Sequence, residues 1–155
     1  ATGKHFPGHG SVEADSHTDD VRDSRSLEEI EQLDLKPFAA LSGQLDAMMM
    51  AHVLYPKVDS RPAGYSRHWI KNILRQKLGF QGTVFSDDLG MYAAKVAGGL
   101  AERVRDSLLA GCDAVLVCDP GDVRTLVASG DTSYTDANVA LQRLKSRNTA
   151  SRDQV

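Results

Sequence analysis

The chain has 155 residues, 18 basic and 21 acidic side chains, and a formal charge of −3. At 41% apolar and 25% charged residues it falls within ordinary globular usage, which excludes wholesale disorder and leaves no electrostatic footprint for nucleic acid or an anionic membrane. The longest strongly apolar stretch, residues 47–54, is interrupted by His52 and is too short to span a bilayer; with no apolar leader at the start, a soluble, cytoplasmic protein is expected, folded as a single unit over residues 1–155.

Taken in chain order, residues 1–6 form the first candidate strand. Residues 7–25 are rich in Gly, Ser, Asp and His without an apolar period. That predicts a long loop of the kind that carries function in compact domains. Ser26-Leu-Glu-Glu29 is a capping box that opens a short helix with Ile30 and Leu33 on its apolar side. Asp34 with Pro37 predicts a second helix, running through Phe38 and Leu41 to Gly43. Residues 47–51, Ala-Met-Met-Met-Ala, read as a strand buried on both faces.

The stretch 55–65, with two prolines and a glycine, is a loop. Ser66 caps a helix on which Ile70, Ile73, Leu74 and Leu78 share one side, and Gly79 ends it. Residues 83–85 form a buried strand that stops at Ser86-Asp87-Asp88. A helix with Leu100, Ala101, Val104 and Leu108 on one side closes at Gly111. Residues 114–118 are another buried strand, a short helix follows near 123–127, residues 137–144 are helical, and 145–155 form a polar tail.

Buried strands alternating with amphipathic helices imply an α/β fold with a parallel sheet and right-handed crossovers. Polar residues gather just after the strands, where β/α barrels and doubly wound sheets keep their chemistry. A closed barrel of eight strands needs about 250 residues, so this chain is long enough for half of one. Cys112 and Cys118 flank the last strand. Six strand residues span roughly 20 Å, beyond the reach of a disulfide, so both are expected as free thiols.

Two segments carry the chemistry. The first is Gly3-Lys4-His5-Phe6-Pro7-Gly8-His9-Gly10, followed by Asp15-Ser16-His17; the second is Ile73-Leu-Arg-Gln-Lys77, then Gly82-Thr-Val-Phe-Ser-Asp87-Asp88-Leu89-Gly90. On residue type alone, Asp87 is either a rigidly held carboxylate at the sheet's C-terminal rim, suited to attack an anomeric carbon, or a cap for the next turn. Asp15 and His17 are either a carboxylate–imidazole dyad, in which Asp15 fixes the tautomer of His17, or a solvated turn. Together the segments resemble glycoside hydrolase family 3, and within it the bacterial β-N-acetylglucosaminidases of peptidoglycan recycling.

The resemblance implies a fold: the C-terminal half of a (β/α)8 TIM-type barrel. It also implies an activity, a retaining exo-β-N-acetylglucosaminidase acting on a sugar or muropeptide substrate. Asp87 is then the nucleophile, His17 the general acid/base and Asp15 the residue that orients it, in place of the second carboxylate most retaining glycosidases use. Lys4 and His5 hold hydroxyls of the terminal N-acetylglucosamine, and no metal or organic cofactor is needed. Asp88 is expected as a supporting carboxylate, and His52 as part of the pocket lining.

Gly8 and Gly10 permit the turn that swings the loop over the site, and without a Gly-Lys-Ser/Thr sequel they do not form a phosphate loop. His68 is expected to face solvent; Trp69, Tyr65 and Met48–Met50 are expected in the core. Two other readings remain open: a non-catalytic half-barrel that needs its missing half or a homodimer partner to cover its strand edges, and a zinc site built from His5, His9, Asp15 and His17.

Overall fold

The computed structural model describes residues 1–12 and 21–129. Four strands, β1 (Thr2–Phe6), β2 (Ala47–Met50), β3 (Thr83–Asp88) and β4 (Ala114–Leu116), form one sheet in the order β1-β2-β3-β4, and all three pairings are parallel. Helices α1 (Leu27–Gln32) and α2 (Leu35–Leu41) cross from β1 to β2. A helix over His68–Lys77 crosses to β3 and α3 (Leu100–Ala110) to β4; α4 (Pro120–Ser129) follows. The helices that cross between these strands pack their apolar sides into one core against β1, β2 and β3, as right-handed crossovers between sequential parallel strands require.

The helix-covered face of the sheet holds the core. Phe6, Met48, Met50 and Val84 are fully buried against Ile30, Leu35, Trp69, Ile70 and Leu74, each large side chain contributing about 1.5–3 kcal/mol of transfer free energy. Phe6 meets Trp69 and Phe38 edge-on. The opposite face carries Met49, Phe85 and Asp87 in a half-buried row, paired across the ladder as Met49 with Phe85. Strand alternation thus divides the sheet into a helix-covered side and a side that bears the acidic rim residue.

Several expectations need correction. β2 is buried on one face, not both, because among the described residues no layer covers Ala47 and Met49. β3 continues through Asp88 because Asp88 still pairs with Leu116 and the Leu89 amide donates to the Leu116 carbonyl at 2.9 Å; ladder hydrogen bonds outweigh the poor strand propensity of aspartate. β4 is shorter than expected and only half-buried at all three residues, since it has a strand neighbour on one side alone among the described residues.

The helix after Ser66 starts as expected, with Ser66 Oγ accepting from Trp69 N at 3.1 Å. Its turns are nevertheless wider than α-helical, as shown by the Leu78 amide reaching the Ile73 carbonyl five residues back at 2.9 Å. Buried positions 69, 70, 73 and 74 fit either spacing, so periodicity does not separate the two. In α3, Ala101 is exposed, and the inner side holds Arg103, Val104, Ser107 and Ala110. Polar anchors set that rotation: Arg103 donates to the Leu89 carbonyl, and Ser107 Oγ to the Gly64 carbonyl at 3.2 Å.

The Ser26–Glu29 capping box is present. Asp34 makes no capping hydrogen bond and pairs instead with Arg25 Nη1 at 2.5 Å. A short helical turn, Tyr92–Ala97, was not anticipated. The helix over 137–144 and the tail 145–155 lie outside the described residues. Cys112 is a buried free thiol and Cys118 an exposed one. Among the described residues no helix is long and apolar enough to cross a membrane.

Candidate active site

The C-terminal ends of β1, β2 and β3 converge on one rim. His5 is the penultimate residue of β1, His52 lies two residues beyond β2, and Asp87 is the penultimate residue of β3. His5 Nε2 stands 3.4 Å from Asp87 Oδ2, with the two side chains 34% and 18% exposed. A carboxylate this sheltered has lost much of its hydration yet keeps an open approach from the uncovered face of the sheet. Its other oxygen, Oδ1, accepts the Asp88 amide at 2.8 Å, which fixes the carboxylate plane.

Asp88 has a different task. Its Oδ1 accepts the amides of Gly90 at 3.1 Å and Cys118 at 3.0 Å, tying the turn after β3 to the end of β4. Asp88 is a structural carboxylate, as expected from the sequence. The Asp88 charge holds the exposed Cys118 thiol above the ordinary thiol range.

Lys4 is exposed on β1. With His5 and His9 it lines an open cleft of about 630 Å³ that runs between the turn after β1 and the Asp34–Phe38 segment. Asp87 does not line that cleft, which lies against the β1 edge. Gly8 has φ +146°, and a Cβ there would stand 2.5 Å from Asp34 Cβ, so the turn needs glycine. Gly10 has no such requirement: its added Cβ would stand 3.6 Å from Asp34 Oδ1. The Gly8 carbonyl accepts from the buried Tyr55 hydroxyl at 2.5 Å. Asp15 and His17 lie outside the described residues.

The far end of that loop is pinned by contacts that no local pattern in the sequence signals. Arg22 bridges to Leu54, the Asp23 amide donates to the Leu54 carbonyl at 2.9 Å, and the Leu54 amide donates to Val21. Arg25 grips the buried Asp23 carboxylate through Nε and Nη2, the latter at 2.6 Å. Burial by itself would raise the Asp23 carboxyl, but these Arg25 hydrogen bonds outweigh it and hold the group below the usual carboxylate range.

His52 does not line the pocket openly. Its ring is buried beneath the rim and stacked on Tyr65. Trp69, Tyr65, Met48 and Met50 are core residues as expected, whereas Met49 is half-buried on the open face. His68 is half-buried beside Asn72 rather than fully solvent-facing. Among the described residues no group of three His, Cys, Asp or Glu side chains is arranged to hold a metal ion; two members of the zinc alternative, Asp15 and His17, fall outside that set.

Comparison with known proteins gives a consistent result. The glycosyl hydrolase family 3 N-terminal domain matches residues 1–146. A β-hexosaminidase of Pseudomonas aeruginosa is 51% identical over 154 residues, covering 99% of this chain and 46% of that protein. One from Tolumonas auensis is 59% identical over 121 residues, covering 77% and 36%. The crystal structure of NagZ from Neisseria gonorrhoeae in complex with N-trifluoroacetyl-D-glucosamine superposes with a TM-score of 0.79 at 49% identity, covering 92% of this chain and 42% of that one. The chain therefore spans less than half the length of the curated relatives it matches, and the four strands among its described residues are half the eight of a β/α barrel. With the family match over residues 1–146 taking in all of its described strands and helices, this chain belongs to glycosyl hydrolase family 3.

Proposed function

We propose that this chain supplies the second half of the catalytic barrel of a retaining exo-β-N-acetylglucosaminidase that removes terminal β-1,4-linked N-acetylglucosamine from peptidoglycan fragments in the cytoplasm. The observation that carries the reading is the Asp87 carboxylate, held at the C-terminal rim on the uncovered face of the sheet with His5 Nε2 3.4 Å away. Asp87 attacks the anomeric carbon and forms a covalent glycosyl-enzyme. His17, oriented by Asp15, protonates the departing oxygen and then takes a proton from the water that releases the sugar. Lys4 and His5 bind hydroxyls of the sugar. The names and ligand of the relatives support a hexosamine substrate, and the two unpaired cysteines suit a reducing compartment.

The test is hydrolysis of an aryl β-N-acetylglucosaminide by this chain and by Asp87→Asn. Turnover that vanishes in the variant supports Asp87 as the nucleophile; turnover that survives at most of its original kcat overturns it. A chain with no turnover is a half-barrel whose two sheet edges need a covering partner, either the complementary half or a second copy, and the assay is then repeated with the complementary half added.

A further inference from the structure

Beneath the rim, His52 touches three elements at once. Its backbone is clamped just after β2, where the Ala51 amide donates to the Phe6 carbonyl at 2.8 Å and the Ala51 carbonyl accepts from Gly64 at 3.1 Å. Its ring is 2% exposed and lies against Tyr65 with centroids 5.8 Å apart at 22°. Tyr65 is itself fixed by its hydroxyl donating to the Ala94 carbonyl at 3.1 Å. His52 Nε2 is 3.2 Å from the carbonyl oxygen of Asp88.

A carbonyl only accepts, so this contact places the ring proton on Nε2. Nδ1 is buried without a hydrogen-bond partner and is sealed by Gly64, where an added Cβ would stand 3.5 Å from it. Burial holds the imidazole below its ordinary pKa against the opposing pull of the Asp87 charge. The ring is thus a neutral, rigid, one-proton donor.

Asp88 is gripped at both ends of its backbone. Its amide donates to Asp87 Oδ1 at 2.8 Å, and its carbonyl accepts from His52 and, at 3.2 Å, from the Met91 amide. A rotation of Asp88 would carry its amide, and with it the Asp87 carboxylate, away from its present aim. We propose that His52 is a positioning residue: by donating Nε2–H to the Asp88 carbonyl it locks the backbone that orients the Asp87 carboxylate. This inference rests on the reading of Asp87 as the nucleophile.

Two variants separate the donor from the ring. His52→Phe keeps the stack on Tyr65 and removes the donor; His52→Gln keeps a donor at nearly the same reach. On an aryl β-N-acetylglucosaminide, His52→Phe should lower kcat by about 100-fold with KM held within about twofold, and His52→Gln should recover most of the loss. An unchanged kcat in His52→Phe, or equal losses in both variants, overturns the proposal.

Where the wild-type chain itself shows no turnover, that result bears on the activity of the isolated chain, and the carbon-13 resonance of the Asp87 carboxyl decides the role of His52. A resonance displaced in His52→Phe and restored in His52→Gln supports the proposal; one identical in all three chains overturns it. The wild-type ring needs no variant at all: nitrogen-15 shifts at neutral pH should report a proton on Nε2 and a bare Nδ1, and a proton on Nδ1 overturns the geometry.

Discussion

The opposite end of the sheet holds a charge pair that joins three elements of the fold. Arg75 Nη2 donates to Asp113 Oδ2 at 2.7 Å, and the side chains are 15% and 4% exposed. The same Asp113 oxygen accepts the Val84 amide at 2.9 Å. Arg75 Nη1 reaches the Phe80 and Gly82 carbonyls at 3.0 and 2.5 Å, with the guanidinium 5.4 Å from the Phe80 ring centre. One cation therefore joins the helix over His68–Lys77, the turn into β3 and the start of β4. Replacing Arg75 by Met keeps the aliphatic packing but leaves a buried carboxylate without its counter-charge, which costs about 3–5 kcal/mol. For a domain of this size that lowers Tm by roughly 6–20 °C. Asp113→Asn should cost less, because its amide oxygen still accepts from Val84 and the remaining Arg75 charge keeps the Phe80 and Gly82 carbonyls as acceptors. The double variant Arg75→Met/Asp113→Leu should recover part of the single loss, since both charges are gone. Urea denaturation of the four chains reads all of this. A loss below about 1 kcal/mol in Arg75→Met would refute the reasoning and place the pair among ordinary surface ion pairs.

Three further outcomes follow from the same physics. Because Arg25 depresses the Asp23 carboxyl in the fold, its contribution is fully present above the ordinary carboxylate pKa of about 3.9 and is lost as pH falls through the lower folded value. Urea midpoints measured against pH should therefore show a shallower acid limb in Asp23→Asn, and an unchanged limb would remove Asp23 from the linkage. Cys112 is buried, with its thiol pushed up to about 12, while Cys118 is exposed. Iodoacetamide on the native chain should mark Cys118 and spare Cys112 in peptide mass spectra; prompt labelling of both would contradict the packing around Cys112. His17→Ala should harm substrates with poor leaving groups more than those with good ones, and the wild-type pH profile should carry an imidazole limb between about pH 5 and 8. Equal loss on both substrates, or a flat profile, would exclude His17 as proton donor.

The sequence made the alternation of strands and helices legible because β2, β4 and the start of β3 are short apolar runs bounded by turns, the helix after Ser26 opens on a capping box, and the helices over His68–Lys77 and Leu100–Ala110 run into glycines. Burial was less legible. The run 47–51 is apolar at every position, so no pattern distinguishes Met48 and Met50, which face the helices, from Met49, which faces the open side; only the ladder register assigns them. The end of β3 was misplaced because aspartates are poor strand formers and two of them mark the last rungs. The Arg25 and Arg75 networks were illegible for another reason. Their partners lie 2 to 38 positions away, and a lone arginine in a helix or loop carries no mark of the carboxylate it will meet. Of the candidate site, the placement of Asp87 and His5 at the rim was legible from the strand order, whereas the depth of His52 depends on the stacking of Tyr65 from a separate turn.

Two adjacent carboxylates at one strand end look alike in composition, and the geometry gives them different surroundings. Strand alternation points Asp87 and Asp88 to opposite sides. Asp88 turns toward the next strand, where its Oδ1 accepts the Gly90 and Cys118 amides; a carboxylate engaged by two amides has its charge spread into those bonds and is a poorer nucleophile. Asp87 turns toward the uncovered face, spends one oxygen on a single amide, and leaves Oδ2 beside His5. The helical face could not serve, since it is closed by Trp69, Ile70 and Leu74 packed against β2 and β3. On the proposed function a substrate approaches from the side on which Asp87 stands, and the amides that immobilise Asp88 hold the rim in the shape that presents it.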